Sequence, residues 1–200
     1  ARLARFYDEN HERLQRSRQA RRYFYDYLAR VLRARVPSGQ RVLEVGCGAG
    51  QLLAALEPSE GVGLDLSARA VEDARARHAG DPRLRFLQGD AGDPAVLAAA
   101  GGPFDVVLLV NVVTQLEDVQ ATLEALQAVC HARTRLLIYS YSRLWQPAFA
   151  LAEALGLKLR TPSESWLPPE EVRQMLGLAD FETVRQDRHI VWPLGVPLLS

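Results

Sequence analysis

The feature that most constrains the fold is a run of glycines directly after a short apolar segment. Residues 41–45 read Arg-Val-Leu-Glu-Val, and residues 44–50 read Glu-Val-Gly-Cys-Gly-Ala-Gly. Glycines at alternate positions remove the Cβ atoms that would keep a ligand away from the backbone, and they allow turns with positive φ. Residues 51–56 then have a helical composition that ends at Pro58. The pattern predicts a strand, a glycine turn and a helix.

The spacing of these glycines differs from that of two common nucleotide-binding loops. A dinucleotide site has G-x-G-x-x-G, but the last position falls on Gln51 when counted from Gly46 and on Leu53 when counted from Gly48. The turn also lacks the Lys-Ser/Thr pair of a phosphate-binding loop. A tight strand-to-helix turn that binds nothing stays open as an alternative at this point.

Further strands and helices alternate along the chain. Apolar runs predict strands at residues 61–65, 84–88, 104–110, 135–139 and 181–185. Helical patterns cover residues 12–35, as one or two helices, and residues 67–79, 94–100, 117–131, 144–155 and 169–178. This alternation favours an α/β fold with a doubly wound, mostly parallel, Rossmann-like sheet flanked by helices and preceded by an N-terminal helical cap.

Polar residues follow the predicted strands, and ligands of such sheets bind at the carboxyl ends of the strands. Asp65 ends the second strand, where its carboxylate can accept hydrogen bonds from both ribose hydroxyls of an adenosyl group. Asp65 could instead only start the next helix together with Ser67. Asp90 follows the third strand and could accept from an adenine amino group, or it could be an ordinary turn residue. Asn111 follows the fourth strand, where a plain turn is the alternative.

These motifs together resemble the class I S-adenosylmethionine-dependent methyltransferases. The resemblance covers residues 36–140 and rests on the order and spacing of E-V-G-C-G-A-G, L-D-L-S, Q-G-D-A and F-D-V-V-L-L-V-N-V-V. It implies S-adenosylmethionine as the cofactor and a methyltransferase activity. The cofactor-binding residues that it implies are Glu44, Gly46, Cys47, Gly48, Gly50, Asp65, Leu66, Asp90, Ala91, Asn111 and Val112.

The resemblance also implies a role for each part of the site. The glycine turn would hold the methionine part of the cofactor, and Glu44 would support that turn. Asp65 would bind the ribose and Leu66 would pack on the adenine, whose edge would be bound by Asp90 and the Ala91 amide. Asn111 would stand near the amino acid part.

The chain departs from the family pattern in two places. Thr114 and Gln115 stand where the family often has a pair of histidines. The family usually ends with a seventh strand, antiparallel to the rest, which we expect this chain to lack. No catalytic residue is therefore implied; the candidates for a base are His11, His189, Glu164 or a tyrosine. The scattered histidines have no metal-ligand spacing, so no metal is expected.

Aromatic residues mark two candidate walls for the methyl acceptor. They are Phe6, Tyr7, Tyr23, Phe24, Tyr25 and Tyr27 before the glycine turn, and the segment 139–145 and Trp166 after the fifth strand. Packing of a helix against the sheet is the ordinary alternative, because Tyr23 and Tyr27 share one helical face.

Composition limits the partners. The chain has 24 basic and 24 acidic residues, which leaves no net field to attract nucleic acid or an anionic membrane. No apolar run is long enough to span a bilayer, and two cysteines fit a reducing, cytoplasmic setting. We expect one methyltransferase domain over residues 1–200, with a helical cap (1–36), a cofactor-binding core (37–140) and a substrate-side part (141–200).

The expected function is methyl transfer to the oxygen, nitrogen or carbon of a small-molecule acceptor, by in-line displacement without a metal. Two alternatives stay open. An aminopropyl transferase would need acidic residues for a polyamine, and Asn111 has no neighbouring acid. A non-catalytic partner or regulatory module would keep the adenosyl pocket without turnover. The sequence says nothing about the oligomeric state.

Overall fold

Five parallel strands lie side by side at the centre of the structure, a computed structural model that describes residues 2–20, 22–141, 145–156, 158–162 and 166–187. The strands are β1 (Arg41–Val45), β2 (Glu60–Asp65), β3 (Leu84–Gln88), β4 (Phe104–Val110) and β5 (Cys130–Tyr139). Their spatial order is β3-β2-β1-β4-β5. The chain builds outwards from β1 to one edge and then crosses to the other side of β1, so the expected doubly wound α/β sheet is confirmed.

Helices precede the sheet and connect its strands. They are α1 (Arg2–Glu9), α2 (His11–Ala20), α3 (Arg22–Arg33), α4 (Gln51–Ala55), α5 (Ala68–Arg77), α6 (Pro94–Ala100), α7 (Val119–Leu126), α8 (Gln146–Ala154) and α9 (Pro169–Leu178). Ser67, Asp93 and Asp118 cap α5, α6 and α7 by accepting backbone N–H bonds. Such caps satisfy N–H groups that have no partner inside the helix. Within the described residues, no helix has both the length and the apolar character needed to cross a membrane.

The sheet has an apolar layer on each face because neighbouring strand residues point in opposite directions. In β1, Leu43 and Val45 belong to the layer that includes residues of α6 and α7, whereas Val42 belongs to the layer with α3, α4 and α5. Glu44 alternates with Leu43 and Val45 and is only 2% exposed. The alternation therefore places a carboxyl group under the glycine turn, on the face that α3 and α4 cover.

The helices before β1 agree with the sequence pattern, whereas the boundary between α7 and β5 was predicted wrongly. The segment 12–35, predicted as one or two helices, consists of α2 and α3. A further helix, α1, precedes it and is separated from α2 at Asn10, whose side-chain amide donates to the Phe6 carbonyl at 2.8 Å. Such side-chain bonds compete with the helix pattern. The predicted helix over 117–131 ends at Leu126, and β5 already begins at Cys130 rather than Arg135. Phe104 pairs with Cys130 and Val106 with Arg135, so residues 131–134 of β5 lie opposite one residue of β4. This irregularity breaks the alternation of apolar residues by which a strand is predicted.

The predicted sixth strand over 181–185 does not form. Residues 181–187 have no regular secondary structure, and Val184 is 87% exposed. A strand needs a neighbour for its backbone groups, and among the described residues no strand pairs with this segment. Instead, Asp187 accepts a hydrogen bond from Arg35 at 2.8 Å, which ties the segment to the end of the helical cap.

Candidate cofactor site

A cavity of about 820 Å³ opens where the strand ends meet the N-terminal helices. Of the residues that the sequence implied, ten line this cavity: Glu44, Gly46, Cys47, Gly48, Asp65, Leu66, Asp90, Ala91, Asn111 and Val112. Gly50 lies outside it and precedes α4 with φ +73°, where a Cβ atom would come within 2.6 Å of the Phe86 ring. The predicted residues thus come together, and Gly50 is needed for the turn rather than for the cavity wall.

The glycine turn gives the cavity a floor of bare backbone. Gly46 and Gly48 have φ of +73° and +55°, a region that side chains other than glycine rarely adopt. The N–H groups of Gly46 and Cys47 both donate to the Leu64 carbonyl, at 2.8 and 3.0 Å. The turn is therefore held against the end of β2, and its exposed side faces the cavity.

Asp65 points toward the glycine turn. One of its oxygens accepts from the Gly48 N–H at 2.8 Å, and the other accepts from the Ser67 N–H at 2.9 Å. Because a carboxylate has about four acceptor sites, both oxygens can still accept from a ligand. Asp65 does not cap α5, since the Ser67 hydroxyl accepts from the Ala70 N–H at 3.1 Å. Asp65 thus contacts the glycine turn as well as the segment before α5, and the cap of that helix is Ser67.

Glu44 lies beneath the turn. Its Oε2 accepts from the Leu53 N–H at 3.1 Å and so joins β1 to α4. Burial raises the pKa of Glu44 to about 8, although the nearby Arg18 guanidinium and the Leu53 hydrogen bond act in the opposite direction. Burial also raises the pKa of the neighbouring Cys47 thiol. The floor of the cavity is a low-dielectric region in which charge is costly unless it is paired.

Asn111 leaves an acceptor without a partner. The residue has φ +55° at the end of β4, and its N–H donates to the Tyr139 carbonyl at 2.8 Å. Its side-chain Oδ1 is buried and has no hydrogen-bond partner among the described residues. An unpaired buried acceptor usually costs about 1 to 3 kcal/mol, so this oxygen fits a site that receives a donor from a ligand.

The adenine side of the predicted site is less enclosed. Asp90 is exposed, and its Oδ1 accepts from the Gly92 N–H at 2.9 Å, as in an ordinary Asx turn. Ala91 is 4% exposed, and Leu66 is half-buried at the cavity wall. Asp90 is therefore a turn residue, and its Oδ2 accepts no hydrogen bond from the described residues. A turn residue of this kind can still accept a hydrogen bond from a ligand.

Sequence reasoning missed Arg18. This side chain extends from α2 into the part of the cavity that lies on the glycine turn, which we call the hollow. Its Nη1 lies 1.9 Å from the position that a Cβ atom on Gly48 would occupy. Burial lowers the pKa of Arg18, but the acidic groups of Tyr25, Asp65 and Glu44 outweigh this effect, so that the pKa is raised. No sequence signal marked it, because α2 is rich in arginine and only the packing of α2 selects the one that enters the hollow.

Short polar contacts hold the N-terminal helices over the cavity. Asp8 accepts from the Ser67 hydroxyl at 2.6 Å and from the Arg69 N–H at 3.2 Å. The Tyr7 hydroxyl donates to the Gln115 side chain, and the His11 Nε2 lies 3.5 Å from Asp73 Oδ2. Of the candidate bases, His11 and Tyr7 line the cavity. Both are engaged in contacts that join the cap to the core. His189 and Glu164 lie outside the described residues.

An aromatic group forms the wall farther from the glycine turn. Phe149 packs against Tyr141, Trp166 and Trp145 with ring centroids 5.3, 5.7 and 6.4 Å apart. All four residues line the cavity, and we refer to them as the aromatic wall. Lys158 stands 5.5 Å from the Phe149 ring and pairs with Glu153.

The N-terminal aromatic residues divide between cavity and core. Tyr7 and Tyr25 line the cavity, as expected. Phe24 is 3% exposed and stacks on Tyr141 at 5.6 Å, so it supports the aromatic wall from the core. Tyr23 is 45% exposed and does not line the cavity, and neither do Phe6 and Tyr27. These last three residues therefore do not contribute to the wall of this cavity.

Comparison with known proteins gives a domain match within the chain and several structures with the same fold. Residues 43–136 match the model of a methyltransferase domain. Two solved structures align with most of the chain: an S-adenosylmethionine-dependent methyltransferase from Thermotoga maritima and a magnesium protoporphyrin IX methyltransferase from Synechocystis with bound S-adenosylhomocysteine. The first has a TM-score of 0.73 at 18% identity and covers 90% of this chain and 82% of its own. The second has a TM-score of 0.69 at 20% identity, with 92% and 90% covered.

A third solved structure is a methyltransferase from Haloferax volcanii in complex with the Trm112 methyltransferase activator. It is 25% identical, with a TM-score of 0.61, and the alignment covers 76% of this chain and 66% of that one. A sequence search among curated proteins gave no significant match. The domain match, the sheet order and the structural neighbours agree with the motifs at the strand ends. Residues 43–136 therefore match a methyltransferase domain, and the chain shares its fold with S-adenosylmethionine-dependent methyltransferases.

Proposed function

We propose that this enzyme methylates a small-molecule acceptor by in-line displacement without a metal ion. The observation that carries the proposal is the continuity of the cavity, which extends over about 820 Å³ from the glycine turn to the aromatic wall. Sites for cofactors and drug-sized ligands measure roughly 300 to 1,000 Å³. The cavity therefore has room for the cofactor together with an acceptor of modest size.

The chain's own residues fit the cofactor. We propose that the free acceptor positions on Asp65 bind the ribose hydroxyls and that the unpaired Oδ1 of Asn111 binds the ammonium group. The backbone of Gly46 and Gly48 provides the floor, and Glu44 fixes this floor through its bond to Leu53. Leu66, with Asp90 and Ala91, bounds the adenine side.

The aromatic wall defines the kind of acceptor. Tyr141, Trp145, Phe149 and Trp166 present flat, mostly apolar surfaces that pack best against an aromatic or extended apolar molecule. The same rings stabilise positive charge near their faces, which suits a site where a sulfonium group reacts. A nucleic acid would need a basic stripe, whereas this chain has 24 basic and 24 acidic residues in all.

Positioning is the main catalytic contribution in this proposal. Bound S-adenosylmethionine supplies an activated methyl group on a sulfonium that leaves as a neutral thioether, so no metal is needed to stabilise the leaving group. Asp65 and Asn111 fix one reactant while the aromatic wall orients the other. Such alignment can contribute up to about 7 to 11 kcal/mol in favourable systems. We propose no general base, since Tyr7 and His11 hold the cap to the core.

A screen of acceptors with methyl-labelled S-adenosylmethionine tests the proposal. The panel combines aromatic and apolar metabolites with a total protein extract and bulk RNA, and Asp65→Ala provides the blank. Asp26→Ala, which changes an exposed acid on α3, is the matched control. We expect label in small aromatic or apolar molecules with the wild type and the control only. Label confined to protein or RNA, or cofactor binding without turnover on any acceptor, would contradict the proposal.

A further inference from the structure

The side chain of Arg18 lies where the cofactor would have to lie. Its Nη1 is 1.9 Å from the position of a Cβ atom on Gly48, so the guanidinium rests directly on the glycine floor of the hollow. The absence of side chains at Gly46 and Gly48 is what makes this floor accessible to a ligand. A ligand and the Arg18 guanidinium therefore compete for the same surface.

Arg18 also lacks a partner of its own in this position. Among the described residues, its guanidinium makes no hydrogen bond or ion pair. The centroid of the Tyr25 ring lies 5.9 Å from Cζ, at the limit of a cation–π interaction. Asp65 and Glu44 act on it only through their field, since their hydrogen bonds go to backbone N–H groups. A guanidinium has five donors and binds a carboxylate best in a two-pronged geometry. The hollow thus holds a cation that is close to carboxyl groups but makes no hydrogen bond or ion pair with the described residues.

From this geometry, and resting on the proposed cofactor site, we propose that Arg18 selects the ligand of the hollow. A ligand that carries a carboxylate gives the displaced guanidinium a partner. An adenosyl ligand without a carboxylate must also displace the guanidinium, but it provides no ion-paired partner in return. Arg18 is a specificity-determining residue in this account, because it penalises adenosyl compounds that lack the amino acid part.

Two adenosyl thioethers separate these effects. S-adenosylhomocysteine has the amino acid part, and 5′-methylthioadenosine lacks it and is uncharged at neutral pH. Because methylthioadenosine is neutral, removal of a nearby cation changes its affinity mainly through the space that becomes free. If the guanidinium leaves the glycine turn uncovered in about one molecule in ten, removal of the Arg18 side chain lowers the Kd of methylthioadenosine about tenfold.

The experiment measures the Kd of both ligands by isothermal titration for the wild type, Arg18→Ala and Arg16→Ala. Arg16 lies on the same helix with its side chain 78% exposed, so it is the matched control. We expect Arg18→Ala to bind methylthioadenosine about tenfold more tightly and S-adenosylhomocysteine about tenfold more weakly. The preference for S-adenosylhomocysteine then falls by about a hundredfold, and Arg16→Ala keeps the wild-type values.

Arg18→Met keeps the experiment decisive if the alanine variant unfolds, because methionine preserves the apolar stem without the charge. We expect this variant to lose affinity for S-adenosylhomocysteine without losing any for methylthioadenosine. Equal changes for the two ligands, or no change for either, would overturn the role of Arg18. If neither ligand binds the wild type, the proposed cofactor site itself fails, and the inference fails with it.

Discussion

At the scale of single residues, two carboxyl groups with different surroundings share the floor of the hollow. Asp65 is half-buried and accepts two backbone N–H bonds, whereas Glu44 is 2% exposed and accepts one. Hydrogen bonds favour the charged form of a carboxyl group and burial disfavours it. The more deeply buried Glu44 therefore has a pKa raised to about 8.

The raised pKa of Glu44 predicts a loss of stability at high pH. The unfolded chain loses this proton near pH 4.5, whereas the folded protein keeps it to about pH 8. Between these values the folded state binds more protons, so the free energy of unfolding falls as pH rises, by at most about 1.4 kcal/mol per pH unit. We expect Glu44→Gln to remove this part of the slope, measured by urea unfolding of the ligand-free protein at pH 5.5 and pH 8. An identical slope in the variant would show that Glu44 does not titrate in this range.

At the scale of elements, the turns before and after β1 each contain a glycine with positive φ, and the two glycines have different surroundings. Gly48 has φ +55° and lies under the Arg18 guanidinium. Gly39 has φ +77° in the turn before β1, where nothing lies within 4 Å of a Cβ atom. The two positions share the backbone strain but differ in what surrounds them.

This difference predicts separate outcomes for two alanine variants. Gly39→Ala and Gly48→Ala should each lower the free energy of unfolding by about 1 to 2 kcal/mol, because alanine disfavours positive φ. Only Gly48→Ala should also abolish binding of S-adenosylhomocysteine, since its methyl group projects into the hollow. Urea unfolding and calorimetric titration measure the two effects. Loss of binding in both variants, or in neither, would argue against the turn as the floor of the site.

Sequence patterns predicted the elements whose local signals agree with their packing. The strands β1 to β4 and the cap residue Ser67 follow from apolar runs and from a hydroxyl before a helix. The start of β5 was missed because its first residues are mostly exposed and polar. Arg18 was missed because its neighbours in space come from β1 and β2, which only the position of α2 on the sheet can decide. Local patterns thus predicted the strand ends of the site, but not the residue that the cap adds to it.

At the scale of the whole molecule, the N-terminal cap and the sheet together enclose the hollow. Asp8 on α1 accepts from Ser67 and Arg69 at the beginning of α5, where the helix dipole also favours a negative charge. Tyr7 and His11 add contacts to Gln115 and Asp73. Tyr7 and His11 line the cavity, so we expect these contacts to slow the exit of a bound ligand.

This enclosure predicts faster ligand release when a cap contact is removed. We expect Asp8→Ala to raise the dissociation rate of S-adenosylhomocysteine about threefold to tenfold, because hydrogen bonds to a charged group are lost. Stopped-flow fluorescence of the tryptophans at the aromatic wall measures this rate. Glu9→Ala, which changes an exposed acid next to it, is the control and should keep the wild-type rate. An unchanged rate in Asp8→Ala would mean that the cap does not limit release.

We propose that the bare glycine turn and the carboxylate of Asp65 together bind the adenosyl amino acid. Calorimetric titration of S-adenosylhomocysteine into the wild type and into Asp65→Asn tests it most directly, because asparagine keeps the shape and removes the charge. We expect one site per wild-type chain and at least about tenfold weaker binding in Asp65→Asn, because the loss of a charged acceptor costs about 1.5 to 3 kcal/mol. Equal affinity in the two proteins would contradict it.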